Sequence, residues 1–114
     1  MDGPSKSAAF VGRALDEIRS FPEPARQDAG YQLHRVQHGL DPSDWKPLTG
    51  VGKGVREIRI WQDDGTYRVI YVASINSAVY VLHAFQKKDD KTRQANIDVA
   101  RRRYKALMQE LNRG

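Results

Sequence analysis

Residues 55–73 read VREIRIWQDDGTYRVIYVA, and this stretch decides the fold. Val55 to Gln62 and Thr66 to Ala73 are rich in β-branched and aromatic residues and flank Asp63-Asp64-Gly65. Asp64-Gly65 is a hairpin signal, because Gly adopts positive φ without steric cost and Asp tolerates it. A turn there pairs Asp63 with Thr66, setting Ile60 opposite Val69 and Ile58 opposite Tyr71, an apolar face that suits packing on helices. The other face carries Glu57, Arg59 and Trp61, opposite Val72, Ile70 and Arg68. A slip of one residue would destroy this segregation, since successive side chains point to opposite faces.

Working outward, Ser74-Ile75-Asn76-Ser77 leads to a third strand over Ala78 to Phe85. Thr92 is placed to cap a last helix, with Ile97, Ala100, Tyr104, Leu107 and Leu111 on one face. Arg101, Arg102, Arg103 and Lys105 fall mostly on the other. Upstream, residues 41–54 are turn-rich and read as a loop. Residues 7–20 read as a short amphipathic helix capped by Ser7, with Phe10, Val11, Ala14, Leu15 and Ile18 at helical spacing. Ser20-Phe21-Pro22 breaks it. A second helix runs from Pro24 to His38 on the stripe of Ala25, Ala29, Leu33, Val36 and Leu40, with Gly39 where a left-handed cap is wanted. The predicted class is α+β: an N-terminal helical hairpin, an antiparallel β-sheet and a C-terminal helix, in the order ααβββα.

At 114 residues the chain fits one domain, 1–114, because a second would lack the apolar surface to close its own core. The composition is 39% hydrophobic and 29% charged, which suits a folded soluble protein. No apolar run is long enough for a membrane span. Met1 to Ala9 is too polar for a signal peptide. The absence of cysteine excludes disulfides and thiolate chemistry and fits a cytoplasmic setting. The net charge of +5 is unevenly spread: residues 1–45 hold five Lys/Arg against seven Asp/Glu, residues 46–114 fourteen against seven. A basic half favours a polyanionic partner, because neutralised phosphates release counterions and the field steers encounter; the alternative is a solvated basic surface.

From Lys46 to Lys88 an ordered set of motifs appears: Lys46-Pro47-Leu48-Thr49-Gly50, Gly54-Val55-Arg56-Glu57-Ile58-Arg59-Ile60, Gly65-Thr66-Tyr67-Arg68-Val69-Ile70-Tyr71 and Val81-Leu82-His83-Ala84-Phe85-Gln86-Lys87-Lys88. This set resembles the HigB-like, phage-derived branch of the RelE/ParE toxin superfamily, and with the flanking helices the similarity spans residues 8–108. The resemblance implies a RelE-like fold and a type II toxin that is a ribosome-dependent, metal-independent mRNA endoribonuclease. Such cleavage must take the 2′-hydroxyl proton, neutralise the crowded phosphate and protonate the leaving 5′-oxygen. By motif, Arg59, Arg68 and Lys87 fall where the family keeps basic residues. Glu57 stands where the RelE branch has Lys and HigB-like relatives often have Glu, so the base stays open between His83 and Glu57. Asp89-Asp90 replaces a Thr/Gln-rich sequence, and the late Tyr of RelE has no counterpart, since Tyr104 lies too far along the helix.

RNA contacts are expected from Lys46, Lys53, Arg56, Lys88 and Lys91, with Trp61 stacking on a base. The resemblance implies no metal or cofactor. The implied partners are a cognate helix-turn-helix antitoxin rich in acidic side chains, the ribosome with its mRNA, and operator DNA through the antitoxin complex. Two rivals stay open, because fold does not fix function: a gyrase-directed ParE-like toxin without nuclease activity, and an inactive phage-derived binding domain. The residues have blander readings too. Arg59 and Arg68 fit a solvated face, Glu57 an ion pair, and Trp61 and His83 packing. His34 and His38 share a helix face but lack the further ligands of a metal site, and Gly50-Val51-Gly52-Lys53-Gly54 fits no nucleotide-binding fingerprint.

Overall fold

The computed structural model describes residues 5–113; Met1 to Pro4, the start of the polar N-terminal stretch, and Gly114 lie outside them. The element order is β1 (Ser7–Phe10), α1 (Ala14–Arg19), α2 (Glu23–Gln37), β2 (Trp45–Pro47), β3 (Val55–Gln62), β4 (Gly65–Ile75), β5 (Ala78–Lys87) and α3 (Asp90–Leu111). The five strands lie in the order β1-β5-β4-β3-β2, antiparallel except for the parallel β1–β5 pair. The α+β class and the three central strands are as expected. Two edge strands are additions to the predicted order.

The helix expected over 7–20 is a correction. Ser7 caps nothing, because Ser7 to Phe10 pair with Ala78 to Val81. Gly12 then turns the chain at φ +56°, and helix begins only at Ala14. Pairing with β5 overrides the local helical pattern, as tertiary context often does. The loop expected over 41–54 holds β2, which pairs with β3 through Lys46 and Glu57. Its glycines have a steric cause at Gly52, where a Cβ would run into the Tyr104 ring of α3. The last helix starts earlier than expected: Asp89, rather than Thr92, is the cap, and its carboxylate accepts the Thr92 amide at 2.6 Å. That bond holds the Asp89 carboxyl below its usual range.

The hairpin is offset from the expected register by two residues. Ile58 faces Val69, Ile60 faces Tyr67, and Gln62 faces Gly65, so Asp63-Asp64 is the turn. Gly65 follows it at φ +138°, while the both-positive combination of a type I′ turn occurs at Asn76 (+54°) and Ser77 (+57°). An offset of two preserves parity, so the two faces of the sheet remain as read. On one face, Ile58, Ile60, Tyr67, Val69 and Tyr71 pack with Ala14 and Ile18 of α1 and Ala25, Ala29, Leu33 and Val36 of α2. On the other, Val55, Ile70, Val72, Leu82 and Phe85 pack with Ile97, Ala100 and Leu107 of α3. Each fully buried aliphatic side chain contributes about 1.5–3 kcal/mol. No helix among the described residues is long and apolar enough to cross a membrane.

One irregularity positions the site. Ile70 pairs with His83 but Tyr71 with Val81, leaving Leu82 as the extra residue of a β-bulge. The bulge reverses the alternation beyond it. His83, Phe85 and Lys87 therefore share the α3 face with Glu57, Arg59 and Arg68.

Candidate functional site

The ladder arranges this face in rows. Lys46, Glu57, Ile70 and His83 form the first; Arg59, Arg68 and Phe85 the second; Trp61, Thr66 and Lys87 the third. Glu57 is 0% exposed, and its Oε1 gathers three cations: Arg68 Nη1 at 2.7 Å, Arg93 Nη2 at 3.5 Å and Lys46 Nζ at 3.9 Å. Three cations on one carboxylate leave a surplus of two positive charges. Arg59 stands directly opposite Arg68, a pairing of like charges that costs stability. Asp44 partly offsets it, 3.7 Å from Arg59. The Nε atoms of Arg59 and Arg68 are buried without a partner, as is Glu57 Oε2. Burial, reinforced by the charges of Arg93, Arg59 and Arg68, outweighs Glu57 and holds the Lys46 ammonium below its ordinary value of 10.5.

The third row is the open rim. Trp61 is 61% exposed, and its indole Nε1 donates to Asp44 Oδ2 at 2.6 Å, which fixes the ring while leaving its face accessible. Lys87 reaches toward solvent 3.8 Å from Asp90. Lys53, Lys88 and Lys91 are exposed, on the loop before β3 and around the start of α3. Arg56 lies on the opposite face of the sheet, opposite Tyr71, and stacks over the Trp45 ring at 3.9 Å.

A second cluster closes the α1 side. His83 is 5% exposed, with Nδ1 2.8 Å from Glu17 Oε1 and Nε2 2.5 Å from Asn96 Oδ1. Asn96 Nδ2 donates to the Thr92 carbonyl, so its oxygen faces His83 and Nε2 carries a proton. Nδ1 faces both Glu17 and Arg103 Nη1, at 3.0 Å, and so accepts when the ring is neutral and donates to Glu17 when it is charged. Arg103 holds Glu17 with two bonds, at 2.8 and 2.9 Å. Burial alone would raise the Glu17 carboxyl, but the Arg103 hydrogen bond, the charge of His83 and the Ala84 amide outweigh it and bring it below 4.5. Where β1 ends, Arg103 donates to the Leu82 carbonyl and Glu17 accepts the Ala84 amide, covering the bare edge of β5.

Thus the structure brings Arg59, Arg68, Glu57, Lys46, Lys87, Trp61 and His83 to one face and leaves Arg56 on the other. Sequence reasoning missed Arg93, Asn96, Arg103 and Glu17. Arg103 was read with Arg101 and Arg102 as mostly outward, yet only the last two are exposed. A signal existed: Arg93, Asn96, Ala100, Arg103 and Leu107 step by three and four, placing polar side chains in the stripe that packs on the sheet. His34 and His38 sit ring to ring at 4.4 Å, and no group of three metal-ligating side chains occurs among the described residues.

The chain is similar in fold to a solved structure of the E. coli toxin RelE, a double arginine-to-alanine mutant in the free state. The TM-score is 0.62 and the identity 18%, covering 82% of this chain and 96% of that one. No curated protein matches the sequence. A family model described as phage derived protein Gp49-like (DUF891) matches residues 16–105. The chain belongs to this phage-derived, Gp49-like family, and its fold is that of RelE.

Proposed function

We propose that the α3 face binds and cuts mRNA, making this chain the toxin of a type II system, a ribosome-dependent endoribonuclease that stops translation in the cytoplasm. The charge balance around Glu57 carries the reading: a surplus of cations, two buried guanidinium donors without partners, and a like-charge arginine pair. A phosphodiester supplies the missing anion. Arg59, Arg68 and Lys87 stabilise the charge gathering on its oxygens, with Lys46 and Arg93 beside them. Trp61 offers its free face to a base. Lys53, Lys88 and Lys91 neutralise neighbouring phosphates.

In the reaction the ribose 2′-oxygen attacks phosphorus while the bond to the 5′-oxygen breaks. One proton leaves the 2′-hydroxyl and another reaches the 5′-oxygen. Lys46, whose ammonium gives up its proton more readily than an ordinary lysine, is the group we assign to that exchange. Glu57 and His83, both buried and already engaged, position the cations and α3 in this scheme. A cognate antitoxin follows from the family. We assign it a helix-turn-helix fold, an acidic segment that covers this face, and operator binding as the complex.

The test compares purified ribosomes carrying mRNA with the same RNA alone. Cuts should fall within the codon being read, and naked RNA should be cut on the order of 10²-fold more slowly, because the ribosome supplies the alignment of the 2′-hydroxyl. Equal cutting of naked RNA would overturn the ribosome dependence. Intact transcripts with DNA breaks on induction would favour the gyrase-directed rival.

A further inference from the structure

A cavity of about 240 Å³ opens on the opposite face of the sheet, under the C-terminal end of α2. It shares no lining residue with the α3 face, and nothing in the proposed RNA chemistry uses it. Tyr71 lines it and is 1% exposed, yet the phenolic hydroxyl has no hydrogen-bond partner. The Arg56 guanidinium lies beside that hydroxyl and can only donate to it, so the phenolic O–H itself is left without an acceptor. An unpaired buried hydroxyl is costly, and proteins keep few of them without a use.

Two cations face the same space. Lys6 Nζ donates to the Ala73 carbonyl at 2.6 Å, which leaves hydrogens of the ammonium free, and it has no carboxylate within 4 Å among the described residues. Arg56 is paired with Asp41 at 2.9 Å. One positive charge is therefore left over, next to an unused phenolic donor. Burial pushes the Tyr71 phenol up, so it remains a proton donor. Val36 and Ala73 supply apolar wall, and Leu40, 53% exposed, stands at the rim.

We propose that this cavity is a carboxylate-binding site, in which Tyr71, Lys6 and Arg56 hold the oxygens of a monoanion carried on a short apolar body. One surplus charge suits a carboxylate better than a doubly charged phosphate, and the volume is too small for a nucleotide, since most ligand pockets start at roughly 300 Å³. The carboxylate can come from a free acid or from a glutamate side chain of a docked polypeptide, whose apolar neighbour would rest on Leu40. The chemistry at Tyr71 is the same for both.

The experiment follows backbone amide resonances of the full chain during three titrations. The probes are sodium 3-methylbutanoate, its uncharged amide, and the blocked peptide acetyl-Leu-Glu-Leu-amide. Saturable shifts at Leu40, Gly54, Tyr71 and Ser74 are expected from a carboxylate probe and none from the amide. Whichever carboxylate binds roughly tenfold tighter identifies the source. Tyr71→Phe keeps the ring and loses only the unpaired hydroxyl, so the variant should fold and bind roughly tenfold more weakly or worse. The proposal is overturned if neither carboxylate saturates, if the amide binds equally well, or if Tyr71→Phe binds like wild type.

Discussion

Glu57 is the residue on which the α3 face depends, because it is the only buried anion among Lys46, Arg68 and Arg93. Removing one partner of a buried pair leaves the others uncompensated, so Glu57→Gln should cost about 3–5 kcal/mol in urea unfolding. A loss under 1 kcal/mol would mean that the cations already find enough water. Lys87 is different: it is partly exposed and its one carboxylate neighbour, Asp90, is 3.8 Å away in solvent. Lys87→Ala should therefore leave folding intact while lowering ribosome-dependent cleavage roughly 10²–10³-fold. Arg102→Ala, on the exposed side of α3, should cut at nearly the wild-type rate. Equal rates for all three proteins would move the reacting phosphate away from this face. Lys46 gives a separate handle. A base works only when deprotonated, so cleavage should rise with pH toward the lowered Lys46 value and level off above it. Lys46→Arg keeps the positive charge but cannot release a proton near neutrality, and should remove that rise. A rise preserved in the variant would assign the proton to another group.

Among the elements, α3 is held to α1 and β5 by the cluster of Glu17, His83, Asn96 and Arg103. The Glu17 carboxyl lies below its ordinary value of 4.5. A depressed acid stabilises the fold fully above its unfolded value, and that contribution is lost as pH falls through the folded one. The urea midpoint should thus drop on acidification below 4.5, and the drop should be shallower in Glu17→Gln; parallel acid limbs would show that the ion pair contributes nothing. How much of this was legible in the sequence differs by element. The stripe of Ala25, Ala29, Leu33 and Val36 is the buried side of α2, and Gly39 ends it at φ +81° as expected, but Leu40, read with that stripe, lies beyond the helix and is 53% exposed. Ser7-Ala8-Ala9-Phe10 carries no strand pattern of its own, because β5 supplies the pairing that makes it a strand. The hairpin offset of two residues leaves no trace in the alternation, because an even shift keeps parity and with it the shared face of Glu57, Arg59 and Arg68. The Leu82 bulge was invisible because it depends on how β4 and β5 meet, and without it His83 would point at α2. Arg93, Asn96 and Arg103 were missed because polar side chains on a helix are read as outward unless a buried carboxylate is known to await them.

For the whole molecule, the acidic balance of residues 1–45 and the basic balance of residues 46–114 meet in one sheet, since β1 from the first stretch edges a sheet whose other strands, Lys46 of β2 included, come from the second. The cations of the α3 face come almost entirely from the later part of the chain, so electrostatic capture of a polyanion should follow from that side. Ribosome association measured at rising salt should weaken linearly on a logarithmic plot, with a slope reduced by about 1 for each phosphate-contacting cation removed. A slope unaffected by Lys88→Ala and Lys91→Ala would place the contacts elsewhere. The pairing of Ser7 with Ala78 also sets a clock on synthesis. At about 5–20 residues per second, β1 waits roughly 4–14 s for its partner to be made. The sheet therefore cannot nucleate from its N-terminal edge, and such long-range pairings are the slow kind. Arg93 and Arg103 are translated later still. A chain interrupted between β5 and Arg93 holds every strand, with Lys46 and Arg68 already beside Glu57, but the cluster of Glu17 and His83 stays open until Asn96 and Arg103 arrive, so the molecule is locked shut only by its closing codons.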